Sequence, residues 1–425
     1  MKATHAMQRR TLLKAIGSAG LASTLPGHGL AAELFPKNGK RVVVIGGGFG
    51  GAVAAKTLRQ ADPAIEVVLI ERQKTYVACP TSNLVIGGSR TIDKNQFGYE
   101  KLAARGIKIV EGEVTDIDTK AKIVTLGAGT LAYDKLIVSP GIDFRFADIA
   151  GYDAATTPQV MPHAWKAGEQ TLLLRDQLVK MKNGGTVLLS IPEAPFRCPP
   201  GPYERICQIA WYLKQHKPQS KIVVLDANSD ILSKGALFRE VWRKQYPGIV
   251  DYRPNHRVTR VSPAAMTLHT DVEDFKGDVV NLIPPQQAGT IAHKAKLVGD
   301  DKRWCPVDQV TYESLQAEHV HVIGDACIAG PIPKSGFVAN VQGKICALNV
   351  VASLNGKKAW SPTIANVCYS YTADNEAVSV AAVFRVEGGK TTLIPGTFGT
   401  SKQPTTLEAE YAQSWFDNII GEMSR

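Results

Sequence analysis

A glycine-rich turn between two apolar strands constrains this chain more than any other feature. The β-branched residues 42–45 predict a buried parallel strand, and Gly46, Gly48 and Gly51 follow it in the pattern G-x-G-x-x-G. The first glycine permits a tight turn, the second lets the backbone approach a pyrophosphate, and the third lets a helix pack closely on the strand. The free N–H groups of that helix would then face the phosphates.

An acid follows at the distance that a nucleotide ribose requires. We predict a helix over residues 52–58 and a second apolar strand over residues 66–70, which ends at Glu71, 20 residues after Gly51. A carboxylate in this place accepts hydrogen bonds from ribose hydroxyls. The glycines alone would be a weak signal, but strand, glycines, helix, strand and acid together predict a dinucleotide-binding unit rather than an ordinary glycine-rich turn.

The N-terminus has the pattern of an export signal. Arg9 and Arg10 resemble a twin-arginine motif, a short apolar stretch follows over residues 15–25, and alanines after it suit cleavage. We therefore expect residues 1–32 to be a twin-arginine signal and the mature protein to be periplasmic. The alternative is a disordered basic tail.

Composition limits the partners and the metal chemistry. Removing the four cationic residues of the signal lowers the formal net charge from +10 to +6. No Lys/Arg tract is interleaved with aromatic residues, so we expect no nucleic acid partner, although a basic surface could steer an acidic protein. The seven cysteines form neither C-x-x-C nor C-x-x-C-H, which argues against a zinc site and a c-type haem in this chain. No uninterrupted apolar stretch approaches the ~18 residues of a transmembrane helix.

The 425 residues suggest two or three domains, and the first is predicted to be split. A strand over residues 107–113, a hairpin over residues 114–126 and an apolar strand ending at Pro140 and Gly141 complete its first part, residues 33–150.

A second α/β unit is predicted over residues 151–275. It begins with a strand at residues 185–191 and continues with a helix at residues 206–215 and a strand at residues 221–225. Proline lacks an N–H group and has a fixed φ, so a proline-rich turn cannot present a cradle of backbone donors to a pyrophosphate. The turn contains Pro192, Pro195, Pro199, Pro200 and Pro202. We predict that this domain binds no NAD(P).

The chain is expected to return to the first domain over residues 276–360, where an apolar strand at residues 319–323 ends in Gly324 and Asp325. Residues 361–425 form a third piece. Its apolar residues recur at helical spacing, opposite an acidic face. An interfacial membrane helix would carry Lys and Arg there, so we favour packing on the protein or on a partner. The stripe consists of Leu407, Tyr411, Trp415, Ile419 and Met423.

The mature chain resembles, over essentially its whole length, the flavoprotein subunit of flavocytochrome c sulfide dehydrogenase, a relative of sulfide:quinone oxidoreductases. The segments that carry the resemblance are SNLVIGG, PFRCPPGPYER, VVNLIPPQQAG, WCPVD and HVIGDACIA. The resemblance implies an α/β fold with two Rossmann-like domains of the glutathione-reductase type and a small C-terminal α+β domain.

The resemblance also implies a covalently bound FAD. Cys79 matches the cysteine that bonds to the 8α-methyl of FAD, and Asp325, after Gly324, matches the aspartate that binds the ribityl chain. Lys334 would stabilise negative charge on the reduced flavin. The alternatives are a small buried thiol at Cys79 and an ordinary β-turn at Gly324 and Asp325.

Two further cysteines match a redox disulfide beside the flavin. They are Cys198 and Cys368, which lie 170 positions apart; Glu204 is the candidate for proton handling. Hydrosulfide would attack the disulfide to give a persulfide and a thiolate, and two electrons would reach the flavin. A structural disulfide, free thiols, or a solvated or capping Glu204 are the alternatives. We expect the remaining cysteines to be structural thiols; they are Cys207, Cys305, Cys327 and Cys346.

Without a haem of its own, the chain would pass its electrons to a separate c-type cytochrome subunit, with Tyr411 and Trp415 as possible contacts. The alternatives are a membrane-associated sulfide:quinone oxidoreductase, an NAD(P)H-dependent reductase, and a flavin-bearing subunit without catalysis of its own. The proline-rich turn argues against the second, and intact Cys198 and Cys368 argue against the third.

Overall fold

The computed structural model describes residues 32–424, so the predicted export signal lies outside the described residues apart from Ala32. Within this range two parallel sheets and one antiparallel sheet are covered by helices. The predicted class, α/β with two Rossmann-like domains and a small C-terminal α+β domain, is confirmed.

The glycine-rich unit lies at the centre of the first parallel sheet. Its central strand is buried along its whole length, as expected of a β-branched strand covered on both faces. All four strand pairs are parallel. The order across the sheet is Val320–Val322, Lys135–Val138, Arg41–Ile45, Glu66–Glu71 and Lys108–Glu111.

Two helices of this first domain touch backbone to backbone. They are Gly51–Ala61 and Gly336–Leu354, and a Cβ added at Gly343 would lie 2.4 Å from the carbonyl oxygen of Gly50. Among the described residues, Gly336–Leu354 is the one helix long and apolar enough to cross a membrane, and 56% of its apolar window is buried inside the protein. Its close contact with Gly50 is that of a core helix.

The second parallel sheet contains one strand that we expected in the first domain. Val279–Leu282 pairs with Thr186–Ile191 through main-chain hydrogen bonds, so the boundary predicted at residue 276 comes too early. An apolar run buried on both faces suits either sheet, and the strand partner that decides between them is distant in sequence. The order is Val250–Arg253, Lys221–Asp226, Thr186–Ile191 and Val279–Leu282. Its helices are Glu169–Lys180, Gly201–His216 and Gly235–Gln245.

The C-terminal piece is an antiparallel sheet covered by the helix Thr406–Ser424. The predicted apolar stripe is only partly right, because Leu407 and Tyr411 are half exposed. In the first two turns the buried positions are Ala409 and Ala412, whose small side chains let the helix approach the sheet closely. The strands are Thr363–Tyr371, Ala377–Glu387, Lys390–Leu393 and Gly399–Thr400.

Shorter elements connect these sheets. Two antiparallel meanders consist of Val114–Asp118, Ile123–Leu126 and Gly129–Ala132, and of Val258–Ser262, Thr267–Thr270 and Asp274–Lys276. Two-stranded pairs are Tyr76–Val77 with Gln96–Phe97, Ile142–Phe144 with Gln286–Ala288, and Cys305–Pro306 with Cys327–Ile328. The short helices are Ser82–Gly87, Glu100–Ala104, Thr157–Val160 and Thr290–Lys294, with 3-10 turns at Ile92–Asn95, Phe146–Asp148, Pro263–Ala265 and Gly324–Ala326.

Candidate active site

A cavity of about 450 Å³ lies at the carboxyl ends of the strands of the first sheet, the edge at which open α/β sheets bind ligands. Residues that were predicted from four separate segments meet there. They are Gly46, Gly48, Glu71, Cys79, Gly324 and Asp325.

The three glycines of the turn are needed for different reasons. Gly46 has a φ of +95°, and a Cβ on it would lie 2.2 Å from the carbonyl oxygen of Ser139. A Cβ on Gly51 would lie 1.8 Å from the carbonyl oxygen of Gly46, so only glycine lets the helix start directly against the strand. Gly48 lines the cavity, and a Cβ there would have only ordinary contacts with the Tyr76 ring. The space over Gly48 is therefore open to a ligand.

Two carboxylates face the cavity with unused hydrogen-bonding capacity. Glu71 accepts hydrogen bonds from the N–H groups of Gly47 at 2.7 Å and Gln73 at 3.0 Å, which leaves further lone pairs for ribose hydroxyls. The Oδ1 atom of Asp325 is buried without a partner among the described residues, and burial raises the pKa of this carboxyl. Because an unpaired buried oxygen is costly, it fits a ligand hydroxyl such as those of the ribityl chain. These residues fit FAD.

Lys334 does not line this cavity. Its ammonium donates to the carbonyl oxygens of Asp325 at 2.9 Å and Cys327 at 2.7 Å, and it lies 4.0 Å from the centre of the Trp304 ring. The predicted stabilisation of negative charge on the reduced flavin by Lys334 therefore gains no support from the cavity lining and stays a prediction. Lys334 instead holds the turn that carries Asp325, because its ammonium binds that main chain directly.

Cys79 does line the cavity, half-buried, with its Sγ atom 3.7 Å from the carbonyl oxygen of Trp165. Arg197 lines the same cavity and donates to the same carbonyl. Sequence reasoning missed Arg197, although it directly precedes Cys198. Its guanidinium places positive charge beside both Cys79 and Asp325.

The fold brings Cys198 and Cys368 together. Cys198 lies just before the helix Gly201–His216, with a left-handed φ of +57°, and Cys368 lies within the strand Thr363–Tyr371. Burial raises the pKa of the Cys198 thiol, and the neighbouring Cys368 and Glu204 raise it further. All seven cysteines are unbonded in the structure, so the disulfide stays a prediction.

Glu204 is neither solvated nor a helix cap. It is 8% exposed, and its two oxygens accept hydrogen bonds from Asn83 Nδ2 and from the N–H of Tyr371, both at 3.0 Å. Burial raises the pKa of this carboxyl, and the group lies beside both thiols. A buried carboxyl beside two thiols suits a proton donor or acceptor, so the proton handling predicted for Glu204 gains support and stays a prediction.

Lys234 is a second residue that sequence reasoning missed. It directly precedes the helix Gly235–Gln245 and is 7% exposed. Its ammonium donates to the carbonyl oxygen of Cys368 at 3.1 Å and to Ser370 Oγ at 2.9 Å. An isolated lysine ahead of a helix carries no local signal, since its partners lie more than 130 positions away.

The second Rossmann-like domain uses its own acid for packing. Asp226 ends the strand Lys221–Asp226, the position that Glu71 occupies in the first domain. It is fully buried and accepts hydrogen bonds from the hydroxyls of Tyr203 and Tyr252, both at 2.8 Å. A cavity of about 520 Å³ remains at this edge, lined by residues that include Pro192. A carboxylate engaged in this way is unavailable to a ribose, so the expected absence of NAD(P) gains support and stays a prediction.

Comparisons with known proteins agree with this site. Residues 171–284 match the family model "Sulfide dehydrogenase [flavocytochrome c] flavoprotein chain, central". Residues 360–423 match the model "Flavocytochrome c sulphide dehydrogenase, flavin-binding", and residues 40–174 match the pyridine nucleotide-disulphide oxidoreductase model.

Individual relatives belong to the same group. The sulfide dehydrogenase [flavocytochrome c] flavoprotein chain of Chlorobaculum thiosulfatiphilum is 61% identical over 46 residues, which are 11% of this chain and 96% of that sequence. The mitochondrial sulfide:quinone oxidoreductase of Dictyostelium discoideum is 21% identical over 331 residues, 74% of this chain and 71% of the relative. The solved sulfide:quinone oxidoreductase of Aquifex aeolicus shares the fold, with a TM-score of 0.74, 16% identity and 91% of each chain covered. The chain therefore belongs to the FAD-binding flavoproteins of the flavocytochrome c sulfide dehydrogenase and sulfide:quinone oxidoreductase group, oxidoreductases that act on sulfide.

Proposed function

We propose that this chain is the periplasmic flavoprotein subunit of a sulfide dehydrogenase, which oxidises hydrosulfide at a Cys198–Cys368 disulfide and passes the electrons through FAD to a c-type cytochrome. One observation carries the proposal. Arg197 and Cys198 are adjacent, and Arg197 lines the FAD cavity while Cys198 faces Cys368 and Glu204. The sulfur chemistry and the electron acceptor therefore lie on two sides of one loop.

Cys79 is the proposed covalent attachment site. FAD bound in the cavity supplies a two-electron acceptor, and a thioether from Cys79 to its 8α-methyl would keep it in place. The cavity lining supports this assignment, because Cys79 lines the same cavity as Arg197, the glycine turn and Asp325.

The proposed reaction at the disulfide needs no reagents other than hydrosulfide and bound FAD. The sulfur of HS⁻ bonds to one cysteine, the Cys198–Cys368 bond breaks, and the other cysteine leaves as a thiolate. Glu204 takes up the proton that the persulfide releases. The outer sulfur would then leave as zero-valent sulfur, or on a second hydrosulfide as polysulfide, and its bonding electrons would stay on the cysteine as a second thiolate. The two thiolates would form the disulfide again and release two electrons, for which bound FAD would supply the acceptor. Arg197 and Lys234 stabilise the negative charge that sulfide brings into this buried region.

The proposed acceptor is a c-type cytochrome subunit. Two of the matching families are named for flavocytochrome c, and the net charge of +6 without the signal suits an acidic partner surface. Quinone is the second candidate, because relatives that match 74% and 73% of this chain are sulfide:quinone oxidoreductases.

A direct test compares the two acceptors. We expect purified protein, given sulfide, to reduce cytochrome c and not a soluble quinone, and to copurify from the periplasm with a c-type cytochrome at low salt. Quinone reduction in membranes without cytochrome reduction would favour the second candidate. Flavin that stays oxidised in sulfide would contradict both.

A further inference from the structure

Lys234 has an unusual environment for a lysine. Its hydrogen bonds within the described part of the chain go to neutral acceptors, the carbonyl oxygen of Cys368 and Ser370 Oγ. No carboxylate lies within 4.0 Å of its ammonium among the ion pairs of the described residues. Buried ammonium groups are normally paired with a negative charge, so we ask which other group the charge of Lys234 serves.

The position of Lys234 in the fold connects two domains. It belongs to the second Rossmann-like domain and, at a left-handed φ of +58°, starts the helix Gly235–Gln245. Both of its acceptors belong to the strand Thr363–Tyr371 of the C-terminal sheet. The ammonium therefore holds the segment of main chain on which Cys368 is located.

The groups around Cys368 are of mixed charge. Its Sγ atom donates to Asn366 Oδ1 at 3.6 Å, and Ser335 contributes a further hydrogen bond. Burial raises the pKa of the Cys368 thiol, while Lys234 is the strongest influence that lowers it; Glu204 opposes Lys234. Lys234 also faces Cys198 and, from the C-terminal helix, Glu408. Arg197 acts more strongly than Lys234 on Cys198, so each cysteine has a cation of its own.

We propose that Lys234 is a positioning residue for Cys368, which fixes the strand segment that carries this cysteine and stabilises negative charge on its sulfur. The charge is that of a thiolate when the pair opens, or of a persulfide if the added sulfur is on Cys368. The part that Lys234 would play during turnover rests on the proposed function. The ionisation of Cys368, however, is measurable without sulfide, cytochrome or electron transfer.

The test separates the charge of Lys234 from its hydrogen bonds. In Lys234→Gln the amide keeps N–H donors for the carbonyl oxygen of Cys368 and Ser370 Oγ and removes the charge, whereas Lys234→Arg keeps the charge. The matched control is Lys217→Gln, because the ammonium of Lys217 also donates to two neutral acceptors. These are the carbonyl oxygens of Val179 at 3.0 Å and Met181, and neither belongs to a cysteine.

The measurement is alkylation of the anaerobically reduced holoprotein by iodoacetamide across a pH series, read for each cysteine by mass spectrometry. Below both thiol pKa values the rate follows the thiolate fraction, so a rise of one pKa unit slows labelling about tenfold. We expect Lys234→Gln to slow labelling of Cys368 about tenfold or more and that of Cys198 by less. In Lys234→Arg and Lys217→Gln, Cys368 and Cys198 should be labelled at the same rates as in the unmodified protein.

Several outcomes would overturn the proposal. Unchanged labelling of Cys368 in Lys234→Gln would show that the charge does not act on its sulfur. Equal slowing of Cys198 and Cys368 would remove the assignment to Cys368, and faster labelling of both would show a merely structural role. If Lys234→Gln fails to fold, an altered Cys368 pH profile in Lys234→Arg contradicts the proposal, and an unaltered one supports it. If the unmodified protein fails to oxidise sulfide while Lys234→Gln still slows the labelling of Cys368 as expected, the proposed function fails and the role of Lys234 stands.

Discussion

Replacing Glu204 by glutamine changes one buried carboxylate oxygen into an NH2 group. Glu204 accepts from two fixed donors, the N–H of Tyr371 and Asn83 Nδ2. The single amide oxygen of the introduced glutamine can satisfy only one of them. Asn83 cannot turn its amide to compensate, because its Oδ1 atom accepts a hydrogen bond from Arg205 Nε at 3.0 Å. Glu204→Gln therefore leaves two buried donors facing each other.

The cost follows from the unsatisfied donor. A buried polar group without a partner destabilises by about 1–3 kcal/mol, so we expect Glu204→Gln to lower the free energy of unfolding by this amount. The pH dependence has a definite sign. Burial raises the pKa of Glu204 above the ordinary 4.5, so its stabilisation is present below that value and falls as pH rises through the folded-state pKa. The loss in free energy of unfolding caused by Glu204→Gln should therefore be greatest in acid and shrink as pH rises.

The same variant tests catalysis. Loss of a positioned acid–base group typically slows a step by about 10²–10⁴-fold, and we expect this loss in flavin reduction by sulfide, measured by stopped flow. Urea unfolding of the holoprotein measures the stability change. The control is Glu169→Gln, an exposed first-turn glutamate of another helix. If Glu204→Gln matched this control in both stability and sulfide reactivity, the role given to Glu204 would be refuted.

Three further predictions use simple readouts. Cys198→Ser and Cys368→Ser should each keep covalent FAD and fold but lose fast flavin bleaching by sulfide, while dithionite still bleaches; wild-type-like bleaching in both would move the sulfide site elsewhere. Cys79→Ala should still bind FAD in the native state through Glu71 and Asp325 but should release it on acid precipitation. Yellow colour that washes off the precipitated unmodified protein would disprove the thioether. NADH and NADPH should not reduce the flavin at a useful rate. Rapid bleaching by micromolar NADH would show that the second Rossmann-like domain does bind a nicotinamide nucleotide.

Local features of the fold and cofactor site were predictable because neighbouring residues encode them. Gly46, Gly48 and Glu71 belong to one strand–helix–strand unit, so their spacing alone places them around a cavity. The strand Val279–Leu282 was assigned to the wrong sheet because its pairing partner, Thr186–Ile191, is nearly one hundred residues earlier. A hydrophobic pattern reports burial and not the partner strand.

The surroundings of Cys198 and Cys368 depend on packing between parts of the chain that are distant in sequence. The pairing of Cys198 with Cys368 came from resemblance, since no spacing argument connects positions 170 apart. Lys234 was not predictable, because its role exists only once a loop of one domain meets a strand of another. The two backbone carbonyls that accept hydrogen bonds from Lys334 were equally beyond the sequence, and its predicted role at the reduced flavin stays a prediction.

Main-chain N–H groups attach the loop that carries Cys198 to distant parts of the chain. The N–H of Arg197 donates to Gln286 Oε1 at 2.9 Å, and the N–H of Cys198 donates to the carbonyl oxygen of Lys334 at 2.8 Å. A hinge rotation between the two Rossmann-like domains would break both bonds and expose their groups. In the proposed cycle, electrons would therefore cross a junction held by main-chain hydrogen bonds, and the groups that move would be sulfur atoms and protons rather than whole domains.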